Sequence, residues 1–228
     1  MYNLYEITMQ LYLDSANMNE IKTICDYGFI NGITTNPSLL AKEDPSLSIQ
    51  DLILSIYKTI GGHVSVEVNS TDTVGMLKEA EEILTWFPEA TIKIPMIPNG
   101  LAAVKELSRQ DIPTNVTLIF TAMQALAANN AGASYVSVFL GRLDDIGTDG
   151  MIAVRETCEI WDRHGLESQI IAASIRHPIH ILECAKAGAD IATVPYKVLT
   201  QILKHPLTDS GLAAFISDHT KMLSAKGK

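Results

Sequence analysis

Short apolar runs alternate with longer amphipathic stretches along the whole of this 228-residue chain, and that alternation restricts the fold more than any single motif does. The runs that read as strands are Gln10–Asp14, Gly32–Thr34, Val64–Val68, Thr91–Ile94, Thr114–Leu118, Tyr135–Phe139, Ile170–Ala173 and Ile191–Val194. Helical spacing falls between them, over Met18–Tyr27, Ser48–Thr59, Val74–Trp86, Gly100–Gln110, Thr121–Ala131, Met151–His164, Pro178–Ala187 and Tyr196–Lys204. Gly28, Gly132 and Gly188 each follow a last helical turn, where a left-handed residue ends a helix most easily. Strands that alternate with helices need crossover connections, so the sheet is expected to be parallel. Eight such units predict an α/β fold, a closed (β/α)8 TIM barrel. A doubly wound open sheet is the alternative. Its nucleotide-binding forms lose their support, because no G-x-G-x-x-G or G-x-x-x-x-G-K-[ST] follows a strand.

Hydrophobic residues make up 47% of the chain and charged ones 19%, enough apolar material for a large core and little room for disorder. No linker or low-complexity tract interrupts residues 1–228, which are expected to form a single domain. A last amphipathic segment, Leu207–Leu223, leads to the lysines Lys221, Lys226 and Lys228. It reads either as a helix folded onto its own barrel or as one that contacts a neighbouring subunit.

The formal charge of −9 repels polyanions, so no nucleic-acid partner is expected. A small phosphorylated ligand is still admissible, because a few arginines outweigh a distant field at contact range. Cys25, Cys158 and Cys184 are too few and too scattered for a disulfide framework or a structural zinc site, which suits a reducing compartment. The opening stretch MYNLYEITMQLYLD carries no Lys or Arg and no long apolar run, which reads as neither a signal peptide nor a membrane span. The expectation is therefore a cytoplasmic protein with no membrane partner.

Successive strand side chains point to opposite faces, so parity assigns each to the lumen or to the helix layer. Val64, Val66 and Val68 share one face and leave Ser65 and Glu67 on the other; Ile92 and Ile94 oppose Thr91 and Lys93. Val116 and Leu118 oppose Asn115 and Thr117, Leu11 and Leu13 oppose Tyr12 and Asp14, and Val136 and Val138 oppose Ser137 and Phe139. The same rule thus gathers Asp14, Glu67, Lys93, Asn115 and Thr117 in one lumen, near the carboxyl ends of their strands, where barrels place active sites. One charge in a strand is ordinarily a surface device. Several in register imply pairing or chemistry, because a buried unpaired ion costs several kcal/mol.

Lys93 is the informative member. Arginine would serve a structural ion pair as well or better, whereas lysine can shed its proton and attack a carbonyl carbon as a free amine. Burial and the neighbouring carboxylates act on it in opposite directions, and a lumen salt bridge with Glu67 or Asp14 is the plainer reading. After later strands come Arg142 and the run Ser174-Ile-Arg176, followed by His177 and then Pro178 at a first helical position. A hydroxyl and two guanidinium groups there make a plausible phosphate cradle. A surface pair of Arg142 with Asp144 or Asp145 competes with that role. His177 and His180 lack a third ligand for a metal and read as helix-start residues, with His177 close to the phosphate.

The segments LYLDSA, GITTNPS, SVEV, TIKIP, TNVTLIF, VSVFLGRLDD and AASIR resemble the transaldolase family, and most of all its short subfamily that also contains fructose-6-phosphate aldolase. The resemblance runs from about Leu11 to Leu223 and implies a (β/α)8 barrel that needs no cofactor and no metal. It implies that Lys93 forms a Schiff base and that Asp14 is the acid/base at the C4 hydroxyl. Glu67 and Thr117 would hold the catalytic water. Asn36 and Asn115 would grip the dihydroxyacetone portion, with Thr35 and Ser137 nearby, and Arg142, Ser174 and Arg176 would bind phosphate. The aldolases carry Gln where Glu67 stands and Tyr where Phe139 stands, so both positions are transaldolase-like here. Sugar phosphates are the implied partners, and a homo-oligomer, pentamer or decamer, the implied assembly. A plain aldolase and a non-catalytic sugar-phosphate-binding barrel are the rival expectations.

Overall fold

The computed structural model describes residues 9–226. Eight strands run in the order β1 (Gln10–Asp14), β2 (Gly32–Thr34), β3 (His63–Glu67), β4 (Thr91–Pro95), β5 (Thr114–Ile119), β6 (Tyr135–Phe139), β7 (Gln169–Ala173) and β8 (Ile191–Val194). Each pairs in parallel with the next, and β1 also pairs with β8, so the sheet closes on itself without an edge. This is a (β/α)8 barrel, as the alternation of runs predicts. The stretch Met1–Thr8 and the tail lysine Lys228 lie outside the described residues, as does the side chain of Lys226.

The helices are α1 (Met18–Asp26), α2 (Pro37–Leu40), α3 (Ile49–Ile60), α4 (Thr73–Trp86), α5 (Pro98–Ser108), α6 (Ala122–Asn130), α7 (Leu140–Asp144), α8 (Gly150–His164), α9 (Pro178–Ala187), α10 (Tyr196–Ile202) and α11 (Pro206–Lys226). Their starts follow from short polar caps. Asn17 accepts from the Asn19 and Glu20 amides, Asp72 from Gly75, Thr121 from Gln124 and Asp149 from Met151. Gly28, Gly132 and Gly188 take positive φ, as expected of the residues that end these turns. Among the described residues, no helix is long and apolar enough to cross a membrane.

Two short helices, α2 and α7, depart from the expected pattern. Each follows directly on a strand's carboxyl end, and each is too brief for a helical period to register in the sequence. Parity itself fails once. Leu118 takes φ +61, and the β5–β6 register slips between Val116 and Ile119. The extra residue of this bulge removes Leu118 from the outer core and puts Ile119 in the place expected for it.

Elsewhere the outward residues Val64, Val66, Ile92, Ile94, Val116, Val136 and Val138 are buried against the helices in the main core. The lumen's amino-terminal half is closed by Tyr12, Ile171 and Ile191, with Tyr135 packed against them. His63 joins this plug, its ring 5.2 Å from that of Tyr12 and 4.6 Å from that of Tyr135. Gly32 is required beneath it, since a β-carbon there would collide with the Tyr12 ring. Helix α11 departs from this pattern of burial: Leu207, Leu212, Phe215, Ile216 and Leu223 are all exposed along it.

Candidate active site

Glu67 and Lys93 are register partners on β3 and β4. Their side chains are only 15% and 6% exposed, and Lys93 Nζ lies 2.9 Å from Glu67 Oε2. Nζ also donates to the Thr35 carbonyl at 3.0 Å. Thr35 therefore supplies its backbone oxygen to the site, while its hydroxyl donates to the Ser65 carbonyl.

Asp14 stands on the same rim. Its Oδ1 accepts from Thr34 Oγ1 at 2.9 Å, and Thr34 Oγ1 is 2.5 Å from Thr193 Oγ1. Because the Thr34 proton goes to Asp14, Thr193 donates to Thr34, and a chain of hydroxyls ends on the carboxylate. Removal from bulk water pushes the Asp14 pKa above the ordinary carboxylate value, against the opposing pull of Lys93 and of the Thr34 hydrogen bond. Lys93 and Asp14 both face a cavity of about 210 Å³, shared with Thr34, Asn36, Ser137, Phe139, Arg142, Ser174, Arg176 and Thr193. Glu67 reaches Lys93 from the side and also lines a second cavity of about 350 Å³, more apolar, between α2, α3 and β3.

Beneath the mouth lies a chain of buried polar groups. Ser137 Oγ donates to Asn115 Oδ1 at 2.7 Å, Asn115 Nδ2 donates to Ser65 Oγ at 3.1 Å, and Ser65 Oγ is 2.7 Å from His63 Nε2. Burial lowers the His63 pKa to about 4, so the chain ends on a neutral ring at neutral pH. Asn115 thus sits in the floor with both ends of its amide engaged. Asn36 reaches the cavity as the cap of α2, its Oδ1 accepting the Leu39 amide at 3.0 Å. Thr117 Oγ1 is buried with no hydrogen-bond partner among the described residues, which leaves its donor and acceptor available to a ligand or water.

The far wall carries the two arginines. The surface pairing of Arg142 with Asp144 or Asp145 that competed with a phosphate role does not form. Arg142 Cζ lies 5.1 Å from the centroid of the Phe139 ring instead, which Phe120 abuts edge-on at 5.9 Å. Asp145 pairs with Arg176, with 2.7 Å from Nη2 to Oδ2. His180, expected as a plain helix-start residue, is buried, with Nε2 2.9 Å from Asp144 Oδ2. Ser174 takes φ +64, unusual for a residue with a side chain, in the turn between the strand and Arg176.

One polar cavity at the carboxyl end of the barrel therefore brings together a buried lysine, the Asp14 carboxylate and two arginines, and Glu67 touches the lysine from the side. A sequence profile of the family described as transaldolase/fructose-6-phosphate aldolase matches residues 11–227. The chain belongs to this family.

Among its relatives in the transaldolase/fructose-6-phosphate aldolase family, a protein of Geobacillus kaustophilus (strain HTA426) named probable transaldolase is 54% identical over 210 residues, 92% of this chain and 98% of its own. A protein of the same name from Clostridium botulinum (strain Eklund 17B / Type B) is 52% identical over 214 residues, 94% of this chain and 99% of its own. Another, from Hydrogenobaculum sp. (strain Y04AAS1), is also 52% identical over 214 residues. Of the site residues expected from sequence, Asp14, Asn36, Lys93, Ser137, Phe139, Arg142, Ser174 and Arg176 line the cavity. Glu67 and Thr35 touch Lys93, Asn115 supports the floor through Ser137, and Thr117 lies buried nearby on β5.

Sequence reasoning overlooked Thr34 and Thr193. Both were accessible to it, since Thr34 is the register partner of Asp14 and Thr193 alternates with the outward Ala192 and Val194. A search for charges in strands passes over hydroxyls. No group of three or more His, Cys, Asp or Glu side chains that could hold a metal occurs among the described residues.

Proposed function

We propose that this chain is a transaldolase that works through a Schiff base on Lys93, carrying a dihydroxyacetone unit from a ketose phosphate to an aldose phosphate. The observation that carries the reading is the placement of Lys93 Nζ, held by Glu67 at 2.9 Å on the wall of the cavity that Asp14 also faces. Passing the ammonium proton to Glu67 frees the amine with no net change of charge in a site shielded from water. The amine adds to the C2 carbonyl, and water leaves as the iminium forms. Glu67, with the unpartnered Thr117 hydroxyl, holds the water that relays these protons. Asp14 then takes the C4 hydroxyl proton as the C3–C4 bond breaks. The electron pair of that bond is accepted by the iminium to give the enamine, and the phosphorylated aldehyde departs. The enamine adds to an acceptor aldehyde, Asp14 returns the proton, and hydrolysis releases the new ketose and Lys93.

Asn36 and Ser137, which line the cavity, are the groups suited to hold the dihydroxyacetone hydroxyls, with Asn115 supporting Ser137, and Arg142, Ser174 and Arg176 are those suited to bind the phosphate. The corresponding reaction is sedoheptulose 7-phosphate plus glyceraldehyde 3-phosphate to erythrose 4-phosphate plus fructose 6-phosphate, a step of the pentose phosphate pathway, in the cytoplasm. The exposed apolar side chains of α11 suit packing against a neighbouring subunit of a ring, a pentamer or decamer.

Transfer is favoured over plain aldol cleavage by Glu67 and Phe139. A carboxylate can titrate beside the water where a carboxamide cannot, and a phenyl ring adds no donor to it. The test is borohydride reduction in the presence of fructose 6-phosphate. A mass increase that maps to Lys93 and is absent from Lys93→Ala is expected. A wild-type protein that takes no label would refute the reading and favour a binding protein. Steady release of glyceraldehyde 3-phosphate from fructose 6-phosphate without any acceptor would favour the aldolase.

A further inference from the structure

We propose that His180 is a positioning residue that braces the two arginine-bearing turns of the cavity and thereby sets how strongly it holds a phosphate monoester. The proposal rests on reading the cavity as a sugar-phosphate site.

His180 lies in the first turn of α9, and both of its ring nitrogens are engaged. Nδ1 accepts the backbone N–H of Arg176 at 3.2 Å, and Nε2 faces Asp144 Oδ2 at 2.9 Å. A donor meets one nitrogen and a carboxylate meets the other, so the proton sits on Nε2 and the lone pair on Nδ1. Burial, reinforced by the His177 ring 3.7 Å away, keeps His180 below the ordinary histidine pKa despite Asp144. The neutral tautomer that both contacts require is therefore the one present at neutral pH.

The two contacts join segments that bear on one ligand. Asp144 closes α7, the short helix that carries Arg142, and its Oδ1 is itself held by the Gly150 amide at 2.8 Å. Asp145, the next residue, takes the Arg176 guanidinium through Nε at 3.3 Å and Nη2 at 2.7 Å. Consecutive aspartates thus hold Arg176 at both ends, the head directly and the backbone through the imidazole. The seam between the segments is tight, since a β-carbon on Gly141 would overlap the Ser174 carbonyl oxygen. Ser174 itself is held at positive φ in the same turn. Without the imidazole, the Arg176 amide loses its acceptor in a partly buried seam, and the strained turn loses its tie to α7.

Two replacements separate the contacts. Asn puts its carbonyl oxygen in the place of Nδ1 but falls short of Asp144, whereas Gln reaches Asp144 but offers nothing to the Arg176 amide. With variants whose thermal melts show them folded, His180→Gln is expected to raise KM for fructose 6-phosphate about tenfold, and His180→Asn about threefold. The preference for fructose 6-phosphate over fructose should fall by the same factors, a change that a general loss of stability would not produce. KM within twofold of wild type in both variants, or equal losses on the two donors, would overturn the proposal. If His180→Gln does not fold, His180→Asn alone decides by the same readings. Calorimetric titration with fructose 6-phosphate repeats the comparison without turnover. Failure of borohydride labelling would sink the catalytic reading and leave the His180 result standing, whereas unchanged sugar-phosphate affinity in the variants would sink the brace alone.

Discussion

Lys93 and Glu67 face each other across adjacent strands with 2.9 Å between Nζ and Oε2, the most enclosed lysine–carboxylate contact among the described residues. A purely structural pair would tolerate a neutral hydrogen-bonding partner, but a proton relay would not. Glu67→Gln is therefore expected to lower kcat for transfer about 10²-fold, the usual worth of a positioned acid–base group. The fraction of turnover that releases aldehyde without an acceptor should rise. Coupled assays with and without erythrose 4-phosphate measure both, and an unchanged kcat would reduce Glu67 to a counter-ion.

Burial of the Asp14 carboxylate carries a cost in stability. Its pKa is raised in the folded protein, so between the ordinary value of 3.8 and that higher value the folded state binds more protons than the unfolded one. Stability accordingly falls as pH rises through this window, and above it the ionised carboxylate remains a burden. Asp14→Asn keeps an acceptor for the Thr34 hydroxyl and removes the charge. The melting temperature at pH 7.5 should rise by ~2–4 °C, about 1 kcal/mol, with the gain shrinking toward pH 4. Turnover should fall at least about 10²-fold. In the wild type, cleavage should decline as acidification protonates the base.

Phe139 separates the Arg142 guanidinium from Phe120 with an apolar ring. Phe139→Tyr adds a hydroxyl at the cavity wall, where it can order water near the enamine. Release of glyceraldehyde 3-phosphate from fructose 6-phosphate alone should increase severalfold, read by coupling to a dehydrogenase. No increase would count against the part assigned here to Phe139.

Gly141 allows the turn bearing Arg142 to press against the turn bearing Arg176. Gly141→Ala must push these backbones apart, which is expected to cost about 1–3 kcal/mol by denaturant titration. Because the displaced turns carry the arginines, KM for fructose 6-phosphate should rise as well. A variant with lower stability and unchanged KM would place the phosphate elsewhere.

Strand parity was enough to bring Asp14, Glu67, Lys93 and Asn115 to one lumen, because a parallel strand buried on both faces leaves no other place for a polar residue. It did not extend past Thr117, because the bulge at Leu118 inserts a residue that alternation cannot count. The aspartates' partners were not legible for a related reason. Asp144 and Asp145 are close to Arg142 in the chain, yet the turn of α7 aims them across the seam at His180 and Arg176. Local sequence carries the caps and the strand faces. It does not carry contacts between loops that meet only after the barrel has closed.

The aromatic plug of Tyr12, His63 and Tyr135 has a kinetic corollary. A barrel stoppered at its base has a single doorway, so in a transferase of this design the departing aldehyde and the incoming acceptor must take turns. Double-reciprocal plots at several acceptor concentrations should run parallel, and each product should compete with the other substrate for the same vestibule.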